Sequence, residues 1–355
     1  MAFKCKKKVL KLLIYSVVTG GKSVSVKYRY YRTQLNSEEQ LIYDAAVEAM
    51  ENCQHRFRVA YKPIETLRRV LYAVELDHPE LFYVNFRHII SKKVCNVCYL
   101  EPSYHIKNSQ LQKEKQQIKN ASDAIIKEFN KAKPADPFLF LHDYLVKATQ
   151  YGEIEDRHYD AHNIDGALID HLCVCEGFSK AYRYLCLLLS LQCIVVTGSA
   201  FFPGETPGLH AWNMIRDQSH LYHVDVTFDR SAAHGCLSRS YYRLNEQQIL
   251  QDHSFNPMFR IPDSKHNGSP LKTVNGTREL ISFLRDESRL GKTFSQVRLT
   301  KGFKMGEIIR KIESGLTIKD YGWYSRLDSC WYRDQARTIS FIWKNDISRP
   351  DSGSH

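Results

Sequence analysis

The chain has 355 residues, 43% of them hydrophobic and 12% aromatic, which is long and apolar enough for two or three folded domains and excludes intrinsic disorder as the default state. A formal net charge of +11 points to an acidic partner or surface. The lysines and arginines are nevertheless spread over Lys4–Lys11, Arg56–Arg69, Lys107–Lys133 and Arg278–Lys311 with no nucleic-acid-binding motif, so no nucleic acid is expected as partner.

Ten cysteines at uneven spacings do not form the dense framework of a small disulfide-stapled domain, and most are expected to be reduced packing residues. No run approaches the roughly 18 apolar residues of a transmembrane span. At the N-terminus, Lys4 to Lys8 precede an apolar run from Val9 to Val18 that has the outline of a secretory leader. Lys11 interrupts that run and Thr19-Gly20-Gly21-Lys22 is a poor cleavage site, so a first strand or amphipathic helix is expected. This favours the cytoplasm and leaves secretion or the cell surface as the alternative.

Three segments follow in chain order: residues 1–133, an N-terminal α/β accessory region; 134–262, a central core; and 263–355, a C-terminal α/β accessory domain. In the first, Ser37-Glu38-Glu39-Gln40 reads as a capping box before the apolar stripe Ile42, Ala45, Ala46, Ala49 and Met50. Pro63 opens a second helix that Asp77-His78-Pro79 ends. Leu81 to Phe86 and Lys93 to Tyr99 read as strands, the latter carrying a lone Cys95-x-x-Cys98 with no second pair to complete a zinc site. Asn108 to about Lys133 reads as a long charged helix.

The second segment opens with Asp136 as cap and Pro137 at the first helical position. A helix then starts at Cys175, with Ala181, Tyr182, Leu185, Leu188 and Leu189 at helical spacing and Gly177 permitting close backbone approach just past the thiol. Helix N-terminal amides and the helix dipole favour a thiolate there, the nucleophilic form. After the strand Cys193 to Thr197 comes a Pro/Gly loop, Phe201 to Gly208, which either shapes a cleft or merely connects. Two β-rich runs, Ala211 to Ile215 and Leu221 to Phe228, form a hairpin about Arg216-Asp217-Gln218-Ser219. The hairpin brings His210 and Asp225 together as base and orienting carboxylate for Cys175. Trp212 shares a strand face with His210 and would wall the imidazole from water. His223, two residues before Asp225, is expected to share its strand face and to support it from behind, ranking behind His210. Asp225 is preferred to Asp229 because it lies mid-strand, whereas Asp229 sits at the strand end, where turn-capping is the ordinary role. In the third segment, Thr277 to Leu284 and Met305 to Ile312 read as helices and Gln296 to Thr300 and Thr338 to Trp343 as strands.

Leu172-Cys173-Val174-Cys175-Glu176-Gly177-Phe178, His210-Ala211-Trp212-Asn213 and His223-Val224-Asp225-Val226-Thr227-Phe228 in this order resemble the transglutaminase-like superfamily. That family's core reads roughly Gly-Val-Cys-x-Gly-Tyr, His-Ala-Trp-Asn and Asp-Val-Thr-Trp. Asp165-Gly166-Ala167-Leu168 and the lead-in His142-Asp143-Tyr144-Leu145 match as well, so the resemblance covers roughly residues 135–232. The chain departs from the pattern at Cys173, Phe178 and Phe228. The resemblance implies an α+β fold with a transglutaminase/papain-like core, its nucleophile helix packed on an antiparallel sheet. It further implies a Cys175, His210, Asp225 triad and acyl transfer through a thioester on protein or peptide amides, giving crosslinking or deamidation. A papain-like peptidase or amidase is the alternative, and a non-catalytic binding or scaffold module that keeps the fold is the reading from another class. The partner expected is a protein or peptide substrate, acidic or cell-wall associated. No cofactor or metal is expected, and no Asp-x-Asp-x-Asp-Gly loop implies calcium. Cys175 N–H is the natural oxyanion donor, with Gln150 or Tyr151 as candidates for a second.

Overall fold

The computed structural model describes residues 28–152, 161–201, 206–231, 236–302, 327–333 and 335–344, together with two short N-terminal strands. These are β1 (Ser16–Thr19) and β2 (Lys22–Ser25), which pair antiparallel. Most of the leader-like run, and the expected helix Met305 to Ile312, lie outside the described residues.

Helix α1 (Ser37–Glu51) carries a capping box one residue earlier than expected. Asn36, and not Ser37, is the cap: its Oδ1 accepts from the Glu38 and Glu39 amides, and the Glu39 carboxylate returns to the Asn36 amide at 2.9 Å. Strand β3 (Phe57–Ala60) leads to α2 (Ile64–Asp77), followed by the hairpin β4 (Val84–Val94) and β5 (Val97–Tyr104). Two expected strands are corrected here. The chain around Leu81 is a 3-10 turn at Pro79–Leu81. Lys93 to Tyr99 is split by a tight turn in which Cys95 takes φ +50°, a left-handed conformation that suits a two-residue hairpin loop. Cys95 and Cys98 therefore share no strand; one is exposed on the turn and the other buried in β5. The long helix α3 (Asn108–Ala132) ends at Lys133 in the left-handed conformation.

Asp136 accepts from the Leu139 amide at 3.1 Å and Pro137 starts α4 (Pro137–Ala148), as the sequence pattern requires. Strands β6 (Gln150–Tyr151) and β7 (Leu172–Cys173) pair in parallel beside the start of α5 (Cys175–Leu188). The central antiparallel sheet has the order β11-β10-β9-β8-β12, built from β8 (Gln192–Ala200), β9 (Gly208–Asp217), β10 (His220–Val224), β11 (Tyr242–Leu244) and β12 (His253–Phe255). Between β10 and β11 lies α6 (Val226–Ser231), and α7 (Glu246–Ile249) precedes β12. The β9–β10 hairpin forms as expected, but its second strand stops at Val224 rather than running to Phe228. Asp225 ends it, because its Oδ1 accepts the Phe228 amide at 2.9 Å and thereby starts α6.

α5 packs on β8 and β9, where Asn213 Nδ2 donates to the Ser179 and Ile194 carbonyls at 2.9 and 3.2 Å. One apolar core joins Leu67 and Val70 of α2, Phe178 and Tyr182 of α5, and Val195 of β8. Polar ties cross the same boundary. Arg183 of α5 reaches Asp77 at the end of α2 at 3.2 Å, and Tyr72 donates to Thr197 at 2.7 Å. A second, smaller core gathers Leu280, Phe283, Val297, Ile339, Phe341 and Trp343. It is formed by α8 (Thr277–Arg289) and a sheet of order β13-β14-β16-β15, comprising β13 (Thr273–Val274), β14 (Phe294–Leu299), β15 (Leu327–Arg333) and β16 (Thr338–Trp343).

Candidate active site

Cys175 is the first residue of α5 and is half-buried. Its position is fixed from both sides. Upstream, the Val174 amide donates to the Ala161 carbonyl at 3.0 Å. Downstream, a Cβ on Gly177 would stand 2.4 Å from that same carbonyl oxygen and 2.7 Å from Cβ of Cys173, so only glycine lets the helix approach so closely. As the first helical residue, Cys175 carries one of the amides that the helix itself leaves without a carbonyl.

His210 on β9 meets Cys175 on one side and Asp225 on the other. Its Nε2 donates to Asp225 Oδ2 at 2.7 Å, and a hydrogen bond with Cys175 also acts on the ring. With Nε2 committed to the carboxylate, Nδ1 is the nitrogen left for the sulfur. The imidazole is 8% exposed, and Trp212 stacks beside it at 6.0 Å between centroids and 16° between planes, the wall expected from its place two residues on. Burial acts to lower the His210 pKa. The Asp225 charge and hydrogen bond, then Cys175, override burial and raise it to about 10. Asp225 is fully buried, which acts to raise its pKa. His210 and then His253 hold its carboxyl well below the usual range instead. A charged imidazole between a thiol and a carboxylate is the arrangement that supports a thiolate–imidazolium pair.

Asp225 is corrected from mid-strand to the strand–helix junction, where its two oxygens do separate work: Oδ1 caps α6 and Oδ2 faces the imidazoles. Asp229 is corrected as well. It is buried inside α6, taking His142 Nε2 at 3.0 Å, Ser238 Oγ at 2.7 Å and the Tyr241 amide, so it ties α4 and the chain before β11 to α6. His223 does not share a strand face with Asp225, since β10 ends between them. Its Nδ1 accepts from Trp212 Nε1 at 3.1 Å, and burial, then the charge of His253, lower its pKa to about 3, which keeps it a neutral acceptor for the indole.

Sequence reasoning missed His253. Its Nε2 lies 3.0 Å from Asp225 Oδ2 and its Nδ1 2.5 Å from Asp252 Oδ1, while Tyr241 donates to Asp252 from behind. The only local signal was a histidine and Phe255 at strand spacing after an aspartate. His210, Asp225 and His253 also place ligand atoms within 4.8 Å of one another, the one such group among the described residues that could hold a metal ion. Each of those atoms already serves a hydrogen bond in this cluster, and a metal would have to take Asp225 away from His210.

Beside Cys175, Glu176 receives Lys180 at 2.6 Å and His162 at 2.9 Å, and Lys180 also reaches Glu75 of α2 at 3.1 Å. Gln150 and Tyr151 sit on β6 against the strand that leads into Cys175, with Tyr151 54% exposed. Residues 202–205 of the Pro/Gly loop lie outside the described residues. Cys173, Cys186 and Cys193 are buried, in keeping with a packing role.

No protein-family description and no curated protein matches the chain. Among solved structures it is similar to a candidate cysteine protease from Cytophaga hutchinsonii, at 15% identity and a TM-score of 0.27 over 39% of this chain and 61% of that one. It is also similar to a TGase, at 12% identity and a TM-score of 0.28 over 62% of this chain and 59% of that one. The chain spans about three fifths of the length of each. Likeness this slight carries no argument about activity, which has to come from the site itself. Among the described residues no helix is long and apolar enough to cross a membrane.

Proposed function

We propose that this chain is a cysteine-dependent acyl-transfer enzyme of the transglutaminase-like type acting on protein or peptide amides, with Cys175, His210 and Asp225 as its triad. The observation that carries the reading is His210 held between the Cys175 sulfur and the Asp225 carboxylate, with its pKa raised to about 10.

The Cys175 thiolate attacks the amide carbonyl carbon, and the Cys175 N–H is aimed where the oxyanion grows. A second donor from Gln150 or Tyr151 belongs to the same proposal. As the tetrahedral centre collapses, the C–N bond breaks and His210 passes its Nδ1 proton to the leaving amine or ammonia, leaving a thioester. His210, now neutral with its hydrogen on Nε2 toward Asp225, takes a proton from the incoming nucleophile. An amine acceptor gives a crosslink, while water gives deamidation or peptide cleavage.

Incubating wild type and Cys175→Ala with a glutamine-containing protein, with and without a primary amine, tests the reading by mass spectrometry. Wild type alone should convert the substrate, and the size of the mass change names the acceptor: a gain of about 1 Da for water at a glutamine, the amine's mass less ammonia for a crosslink, and shorter fragments for cleavage. Identical spectra from the two proteins, together with Cys175 alkylating no faster than a free thiol, would sink it.

A further inference from the structure

We propose that His253 is a positioning residue of the triad, holding the Asp225 carboxylate in place through a second hydrogen bond while His210 changes charge; the inference rests on the cysteine-nucleophile reading above. Asp225 Oδ2 is shared by two imidazoles, His210 Nε2 at 2.7 Å and His253 Nε2 at 3.0 Å, and Oδ1 accepts the Phe228 amide at 2.9 Å. The carboxylate cannot turn about its Cβ–Cγ bond without breaking one of these. His253 is itself clamped, because its Nδ1 lies 2.5 Å from Asp252 Oδ1 and Tyr241 donates to the other Asp252 oxygen. Both ring nitrogens face carboxylate oxygens, and Nε2 is placed to donate to Asp225. The side chains of His253 and Asp225 are wholly buried, where a carboxylate depends on hydrogen-bond donors of this kind. Packing fixes the ring further, with Trp212 edge-on at 4.8 Å and Phe228 at 4.8 Å.

The consequence appears at the proton-transfer step. When His210 gives its proton to the leaving amine, Asp225 loses the positive charge on that side. His253 stays as a hydrogen-bond donor on the same oxygen, so the Asp225 carboxylate keeps its orientation and keeps accepting from His210 Nε2. The neutral His210 is thereby held in the tautomer whose bare Nδ1 faces the sulfur, ready to take the proton of the next nucleophile. Removal of outer partners of this kind lowers activity without touching substrate.

The test uses the full chain with His253→Gln and His253→Asn beside wild type and Cys175→Ala. A glutamine amide reaches the position of Nε2 and keeps a donor on Asp225; an asparagine amide falls short of it. His253→Asn is expected to lower kcat by about 10- to 100-fold with KM unchanged and to slow iodoacetamide labelling of Cys175, and His253→Gln to recover most of both. Equal kcat in Gln, Asn and wild type, or a raised KM at unchanged kcat, would overturn the role of His253 while leaving the nucleophile standing, provided Cys175→Ala is inactive. A Cys175→Ala protein as active as wild type would bring down the nucleophile, and the role of His253 with it.

Discussion

Gly198 of β8 lies so close to Ser254 of β12 that a Cβ on residue 198 would stand 1.7 Å from the Ser254 carbonyl oxygen and 3.1 Å from Cα of Phe255. The edge strand that delivers His253 to Asp225 thus rests against bare backbone, in the register Phe255 opposite Gly198. Backbone does not yield as the end of a side chain does. Gly198→Ala is expected to force β12 outward, lowering stability by about 1–3 kcal/mol in urea unfolding and lowering kcat in the protein that still folds. An alanine variant with wild-type stability would show that β12 is not seated as described.

Asp225 holds His210 by a single oxygen, so an amide at that position is the sharpest probe of tautomer control. Asp225→Asn nearly preserves shape but presents a neutral group to two imidazoles. A loss of about 10⁴-fold in kcat with an unchanged far-UV spectrum is expected, the scale seen when a catalytic imidazole is left in the wrong tautomer. Single-turnover kinetics on a glutamine-containing protein would measure it, and a loss under about 10-fold would remove Asp225 from the triad.

The raised pKa of His210 sets a direction for pH dependence. Its folded value, about 10, lies above the ordinary 6.5, so its stabilising contribution is fully present below about pH 6.5 and is lost as pH rises through about 10. Asp225 works in the opposite sense, its contribution present above the ordinary carboxylate range and lost on acidification. Urea midpoints across pH should fall on the alkaline side, and the Cys175-dependent rate should fall there too as the imidazolium is lost. In Asp225→Asn the alkaline limb is expected to move to lower pH.

His142 is a second buried imidazole between carboxylates, with Asp143 Oδ1 and Asp229 Oδ2 each at 3.0 Å. Burial acts to lower its pKa, but the hydrogen bonds and charges of the two aspartates raise it to about 9. The pair ties α4 to α6, the helix that Asp225 caps. His142→Ala leaves Asp229 buried without its cation and is expected to destabilise the fold by about 3–5 kcal/mol. Because the folded pKa is raised, the wild-type advantage over the alanine variant should be largest below about pH 6.5 and should fade as pH passes about 9. An advantage independent of pH would show that His142 acts through shape alone.

Much of the local architecture was legible because it depends on neighbours in the chain. The Asp136-Pro137 helix start, the α5 stripe beginning at Cys175 and the β9–β10 hairpin each follow from period, caps and turn residues, and each forms. The misreadings share a cause. Asp225 looked mid-strand because Val224, Val226 and Phe228 continue a strand-like run. A carboxylate that accepts the amide three residues on ends the strand, and pattern alone does not reveal that choice. Lys93 to Tyr99 was misread because its two-residue turn, Cys95-Asn96, carries only Asn96 as a turn-favouring residue inside an otherwise strand-like run, and the left-handed position falls on Cys95.

The sequence by itself determined where a nucleophile could stand: a cysteine opening an apolar helix beside an obligatory glycine, and a histidine followed by a tryptophan on a strand. Those are short-range facts, written in spacing and side-chain type. Only the tertiary structure decided which further partners the two carboxylates take. Asp225 turned out to be shared between His210 and His253, and Asp229 to belong to His142, because these partners come from strands and helices far apart in the chain. Hydrogen bonds across such distances leave no periodic trace in a sequence; they exist only once one core has brought their elements within about 3 Å of each other.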